Sequence, residues 1–233
     1  MIDAVVFDKD GTLFDFRRSW GGWVRKLLAE LGTDPDHTLA MAGALGFDLA
    51  TGAFDPESPV IAGTNDEIAA ALLPHLPGAT QAALLSRMAI LAVDADMVPA
   101  VPLRPLILEL RERGLKIGLA TNDVEAAGRA HLAGEGVEDL FDLVSGYDSG
   151  HGAKPGPGML LEFSRRTGIA PGQVLMVGDS THDLVAGRAA GMRTVAVLTG
   201  IAQAEELSHL AEVVLPDIGA LPAWIDLQRR GAA

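Results

Sequence analysis

The chain has 233 residues, 48% of them apolar, with 18 basic side chains against 31 acidic ones and a net charge of −13. That apolar content excludes a disordered chain, and the acidity opposes general nucleic-acid binding, whose nonspecific affinity comes from cations on phosphates. There are no cysteines, which excludes disulfide frameworks, thiolate zinc sites and thiol catalysis.

The opening stretch MIDAVVFDKD places acids early and has no basic region ahead of an apolar one, so no signal peptide is expected. No window reaches roughly 18 apolar residues free of charge, so no membrane span is expected and a cytoplasmic protein is. Ala4–Phe7 is a short apolar run with two adjacent valines, as in a strand buried on both faces of a parallel sheet. Helical patterns follow at 20–31, 37–45, 66–75 and 81–93, with no strand pattern between them. This region is compositionally distinct: residues 31–99 hold one basic side chain, Arg87, and nine acids. The two prolines of 98–102 suggest a stiff return linker.

Beyond it, strands are predicted at 116–120, 143–144, 174–177, 194–198 and 213–215. Helices are predicted at 103–113, 124–132, 158–166 and 184–190. Strands alternating with helices of about ten residues imply βαβ units. The expected architecture is an α/β, Rossmann-like, doubly wound parallel sheet from residues 1–16 and 98–233, with an all-helical unit, 17–97, inserted after the first strand.

Residues able to do chemistry fall just after these strands, where open parallel sheets bind ligands. Asp8 and Asp10 follow the first, with Gly11 permitting a turn. The pair suits a hard cation, or a division into nucleophile and acid/base; it is equally compatible with an Asx turn. Thr121-Asn122-Asp123 precedes a helix and reads as an anion site or an N-cap. Asp179 and Asp183 lie in GDSTHD after another strand, and Lys154 follows a glycine-rich stretch. Together they would place a cation site beside a phosphate cradle.

In that order, DKDGTL, Thr121, Lys154-Pro155 and GDSTHD resemble the four motifs of the haloacid dehalogenase-like (HAD) superfamily, and the helical insertion resembles its cap. The resemblance extends to the phosphoglycolate phosphatase-like group. It implies that Asp8 is a nucleophile forming an aspartyl-phosphate and that Asp10 is the acid/base. It implies Mg²⁺ held by Asp8, the Asp10 backbone carbonyl and Asp179, with Asp183 in support. Thr121, Lys154 and Asn122 would contact phosphate. The presence of Asp10 favours phosphoryl transfer over dehalogenation. A β-phosphoglucomutase-like isomerase and a non-catalytic phosphoacceptor module are the alternatives.

Position 9 is usually apolar in helical-cap phosphatases, and here it is Lys9. Arg17 or Arg18 is a candidate for selecting an anionic substrate. Lys9, Arg17, Arg18 and Lys154 are expected to form a cationic cleft in an acidic shell. The expected partner is a small phosphorylated metabolite, with no nucleic acid or membrane, for a monomer or homodimer.

Overall fold

Six parallel strands form one sheet in the computed structural model, which describes residues 2–231. They are β1 (Ala4–Phe7), β2 (Lys116–Ala120), β3 (Leu143–Ser145), β4 (Val174–Gly178), β5 (Arg193–Val197) and β6 (Val213–Leu215). The spatial order is β3-β2-β1-β4-β5-β6. The chain steps outward from β1 to β3, then returns to pair β4 against the other side of β1. That reversal opens a crevice at the carboxyl ends of β1 and β4.

Side-chain alternation explains the apolar run of β1. Val5 and Phe7 join one core with Leu106 and Leu110 of α6 (Leu103–Glu112) and Ile225 of α11 (Leu221–Gly231). Ala4 and Val6 join the opposite core with Leu160 and Phe163 of α8 (Gly158–Thr167) and Ala186 of α9 (Thr181–Ala189). The fold between β2 and β3 is completed by α7 (Glu125–Gly134), and α10 (Ala204–Leu207) is a single turn.

Several elements differ from the sequence reading. Strand β5 begins one residue early. Helix α9 begins at Thr181, not 184, because Ser180 and Asp183 form a capping box at its start. Helix α11 was not expected; its buried residues, Leu221, Pro222 and Ile225, with Trp224 half-buried beside them, make too short a stripe to stand out.

Residues 16–93 carry α1 (Phe16–Leu31), α2 (Pro35–Ala44), α3 (Pro59–Ala62), α4 (Asn65–Leu72) and α5 (Gln81–Val93). Trp23, Leu27, Met41, Leu72 and Met88 pack into a second core, which Ala127 of α7 and Ile201 join from the sheet side. Helix α1 starts four residues ahead of the expected 20, because the Asp15 carboxylate accepts from the Arg18 N–H at 3.0 Å. One strand-like feature interrupts the helices, an isolated antiparallel bridge between Phe47 and Phe54. The outgoing and returning chains lie side by side. Asp15 N–H donates to Val98 O (2.8 Å) and Ala100 N–H to Leu13 O (2.9 Å). Among the described residues no helix is long and apolar enough to cross a membrane.

Candidate active site

The sheet edge assembles the acids. The Asp8 N–H extends the β1–β4 ladder by donating to Val177 O at 2.9 Å, so the carboxylate emerges at the crevice. Asp179 follows β4 directly. Carboxylate oxygens of Asp8, Asp179 and Asp183 lie within 4.8 Å of one another, and all three residues are buried.

Two glycines make the close approach to Asp179 possible. Gly11 has φ +88°, and a Cβ there would stand 2.3 Å from Asp179 Oδ2. A Cβ on Gly200 would stand 1.7 Å from the same oxygen. Asp179 Oδ1 accepts from the Thr12 hydroxyl at 3.2 Å, and the Thr199 hydroxyl donates to Gly11 O at 2.6 Å.

Lys154 supplies the cation. Its Nζ is 2.5 Å from Asp8 Oδ1, 2.6 Å from Asp183 Oδ1 and 2.8 Å from Ala120 O. Asn122 brackets its backbone: the side-chain amide donates to Lys154 O (3.0 Å) and accepts from Lys154 N–H (2.8 Å). Asn122 thus engages Lys154 while lining the same cavity as Asp8 and Thr121. The Thr121 hydroxyl is buried and accepts from the Asp123 N–H at 3.0 Å. Asp183 serves two elements, since its Oδ2 accepts from the Ser180 hydroxyl at 2.7 Å.

The charges do not balance. Three buried carboxylates face one ammonium. Burial raises Asp8 to about 7, against the pull of Lys154, with Asp183 and Asp10 adding to the rise. Asp179 is pushed well above the ordinary carboxylate value by burial, then by Asp8 and Asp183. Burial depresses Lys154, but Asp183 and Asp8 outweigh it and hold the ammonium above its ordinary value. Two like charges about 4 Å apart near a protein surface repel by about 4 kcal/mol, so a further cation is favoured here. An all-carboxylate oxygen set suits a hard divalent ion.

Asp10 lies outside this trio. Its Oδ2 is 3.2 Å from Lys9 Nζ, while Oδ1 is buried with no hydrogen-bond partner. Burial raises its pKa, opposed by Lys9; Asp123 adds to the rise and the Trp20 side chain lowers it. Lys9 itself is 0% exposed and sits beneath the cleft, paired with Asp123 at 2.7 Å. The cationic cleft expected from sequence is thus corrected: buried acids already match Lys9, and Arg17 and Arg18 are exposed on α1. Asp8, Asp10, Lys154 and Asp179 line one cavity of about 50 Å³, which Trp20, Ile61 and Asn65 close from the helical side. Arg17 lines an adjoining cavity of about 500 Å³ that shares Ile61, Gly63 and His182 with the first.

Several contributors escaped the sequence reading. Gly200 and Thr199 follow β5 on the same sheet edge, and that position was their one available signal. His131, whose Nδ1 faces Lys9 Nζ at 3.0 Å, and Asn65 carried none, because their place depends on how the helices pack against the sheet; Trp20 reads from sequence as core of the helical unit, and it is buried there while also lining the cavity.

The family model of haloacid dehalogenase-like hydrolases matches residues 2–191. The chain is 30% identical over 231 residues to a phosphoglycolate phosphatase of Xanthomonas campestris pv. campestris, covering 95% of this chain and 96% of that protein. It is 31% identical over 239 residues to a phosphoglycolate phosphatase of Rhodospirillum rubrum, covering 99% and 94%. A solved HAD phosphatase from Thermococcus onnurineus matches with a TM-score of 0.65 at 22% identity, over 96% of this chain and 98% of its own, and shares the fold. The chain belongs to the haloacid dehalogenase-like hydrolase family and is a phosphatase, a hydrolase of phosphoric monoesters.

Proposed function

We propose that the protein hydrolyses a small phosphate monoester, phosphoglycolate or a close analogue, through an aspartyl-phosphate on Asp8, with Mg²⁺ as its metal. The observation that carries this reading is the Lys154 ammonium bridging Asp8 and Asp183 beside three clustered carboxylates in one small cavity.

The Asp8 carboxylate attacks phosphorus as the ester P–O bond breaks, and Asp10 gives its proton to the departing oxygen. Asp10 then takes a proton from water, which attacks the acyl phosphate. Inorganic phosphate leaves and Asp8 is restored. Lys154 and Thr121 hold the phosphoryl oxygens, and Asn122 positions the Lys154 backbone. Asp8, Asp179 and the Asp10 backbone carbonyl would hold the metal, with Asp183 beside them. When bound, Mg²⁺ supplies the positive charge that three carboxylates and a phosphoryl group require. Residues 17–97 act as the cap over the core, which comprises 1–16 and 98–233; residues 1, 232 and 233 fall outside those described. Arg17 meets any anionic group that extends from the first cavity into the second. The closely matched phosphoglycolate phosphatases support the substrate class.

The test is phosphate release from a panel of small monoesters, phosphoglycolate included, before and after chelation. Metal-dependent turnover with phosphoglycolate among the best substrates is expected. Turnover that survives complete chelation contradicts the metal site.

A further inference from the structure

Lys9 presents an unusual buried cation beside the reacting groups. None of its surface reaches solvent. Its ammonium meets Asp123 Oδ2 at 2.7 Å, Asp10 Oδ2 at 3.2 Å and His131 Nδ1 at 3.0 Å, and it lies 5.1 Å from the centroid of the Trp20 ring. An ammonium only donates, so His131 Nδ1 accepts and the ring proton sits on Nε2. That nitrogen donates to Ala92 O at 2.7 Å, near the end of α5. Burying an ammonium is costly, and a well-packed apolar side chain would avoid the cost.

The arrangement does something an apolar residue there could not. Lys9 occupies one oxygen of Asp10, Oδ2. The other, Oδ1, is buried and makes no hydrogen bond of full geometry, although the Trp20 side chain stands near enough to the carboxyl to favour its charged form, and Asp10 lines the cavity that holds Asp8. We propose that Lys9 is a positioning residue: it clamps Asp10 by Oδ2 so that Oδ1 is presented to the leaving oxygen, and ties that orientation through His131 to helix α5. The inference rests on the proposed acid/base role of Asp10. The proton passes from Asp10 Oδ1 to the ester oxygen as the P–O bond breaks, and Lys9 neither gains nor loses one.

The experiment compares kcat/KM, which reports the steps through leaving-group departure, for two esters. One is the best alkyl monoester of the panel, whose leaving group needs a proton. The other is p-nitrophenyl phosphate, whose leaving group does not. Lys9→Met is expected to lower kcat/KM for the alkyl ester about 10- to 100-fold, within the range of general-acid effects, and to change the aryl ester by less than about 3-fold. The double variant K9M/D123N removes one charge of each sign; it decides the matter if Lys9→Met alone does not unfold cooperatively. Equal losses on both esters, or no loss on either, overturn the clamp. Asp10→Asn is measured in parallel. If it fails to separate the two esters, the role of Asp10 falls; if it separates them and the Lys9 variants do not, the clamp alone falls.

Discussion

Lys154 and Asp8 stand 146 residues apart in the chain, yet the Lys154 ammonium lies 2.5 Å from Asp8 Oδ1. Both are buried, and the same ammonium holds Asp183. The pair joins the end of β1 to the loop that precedes α8, so it is both an electrostatic device and a cross-link of the sheet edge.

Replacing Lys154 with Met is expected to cut kcat by on the order of 10²–10³, the usual cost of losing a charge-stabilising donor. Removing one partner of a buried pair costs about 3–5 kcal/mol. For a chain of this size that lowers Tm by roughly 6–20 °C. Steady-state assays and thermal unfolding check the two effects separately.

The metal-free protein should lose stability as pH rises between about 4 and 7. Asp8 has a folded pKa raised to about 7 from an ordinary 3.8. Within that window Asp8 holds in the folded state a proton that the unfolded state has released, so stability falls with increasing pH, and Asp10 and Asp179, also raised, act in the same direction. Asp8→Asn should reduce this dependence, leaving the part that Asp10 and Asp179 contribute, and abolish turnover while the protein remains folded. Urea titrations in chelator from pH 4 to 8 measure the slope.

Saturating Mg²⁺ should raise Tm. At 100 times its dissociation constant a ligand adds about 2.7 kcal/mol, or roughly 5–11 °C here. Asp179→Asn should remove most of the shift. A shift retained in that variant would mean that the ion binds elsewhere.

Gly200→Ala should impair the enzyme through Asp179. The added methyl would stand 1.7 Å from Asp179 Oδ2, so the carboxylate must move. A displacement of about 1 Å can cost on the order of 10²-fold in rate. Calorimetric Mg²⁺ titration of the variant should show weakened binding, with far-ultraviolet circular dichroism unchanged.

The two arginines after the hinge should behave differently. Arg17 lines the larger cavity next to the reacting groups, and Arg18 lines neither of the two. Arg17→Ala should raise KM for an anionic ester about 10- to 100-fold, as expected for a charged hydrogen bond of about 1.5–3 kcal/mol. Arg18→Ala should leave KM within about 2-fold, as most exposed substitutions are nearly neutral. Equal effects would remove Arg17 from substrate selection.

Much of this protein was legible as pattern. Strands β1, β2 and β6 and helix α5 stand where apolar runs and periodicity put them, because those signals are local and buried on known faces. Asp8, Asp10, Lys154, Asp179 and Asp183 were legible because they fall in the stretches after strands, whose carboxyl ends share one edge, and because their order resembles the family's motifs. Capping blurred the start of α9, where Asp183 both begins a helix and faces Lys154.

Tertiary packing decided the rest. Lys9 is expected to line a cationic cleft, yet the fold buries it against Asp123 and His131, which lie just before and within α7. Asn122 lines the cavity at the end of β2, where its place in sequence puts it, and only the fold adds its second task of bracketing the Lys154 backbone. Local order prescribes which strand end a residue occupies. Which charges meet there, and which glycine must yield space to Asp179, depends on segments far apart in sequence, whose contacts exist only once both faces of the sheet are covered.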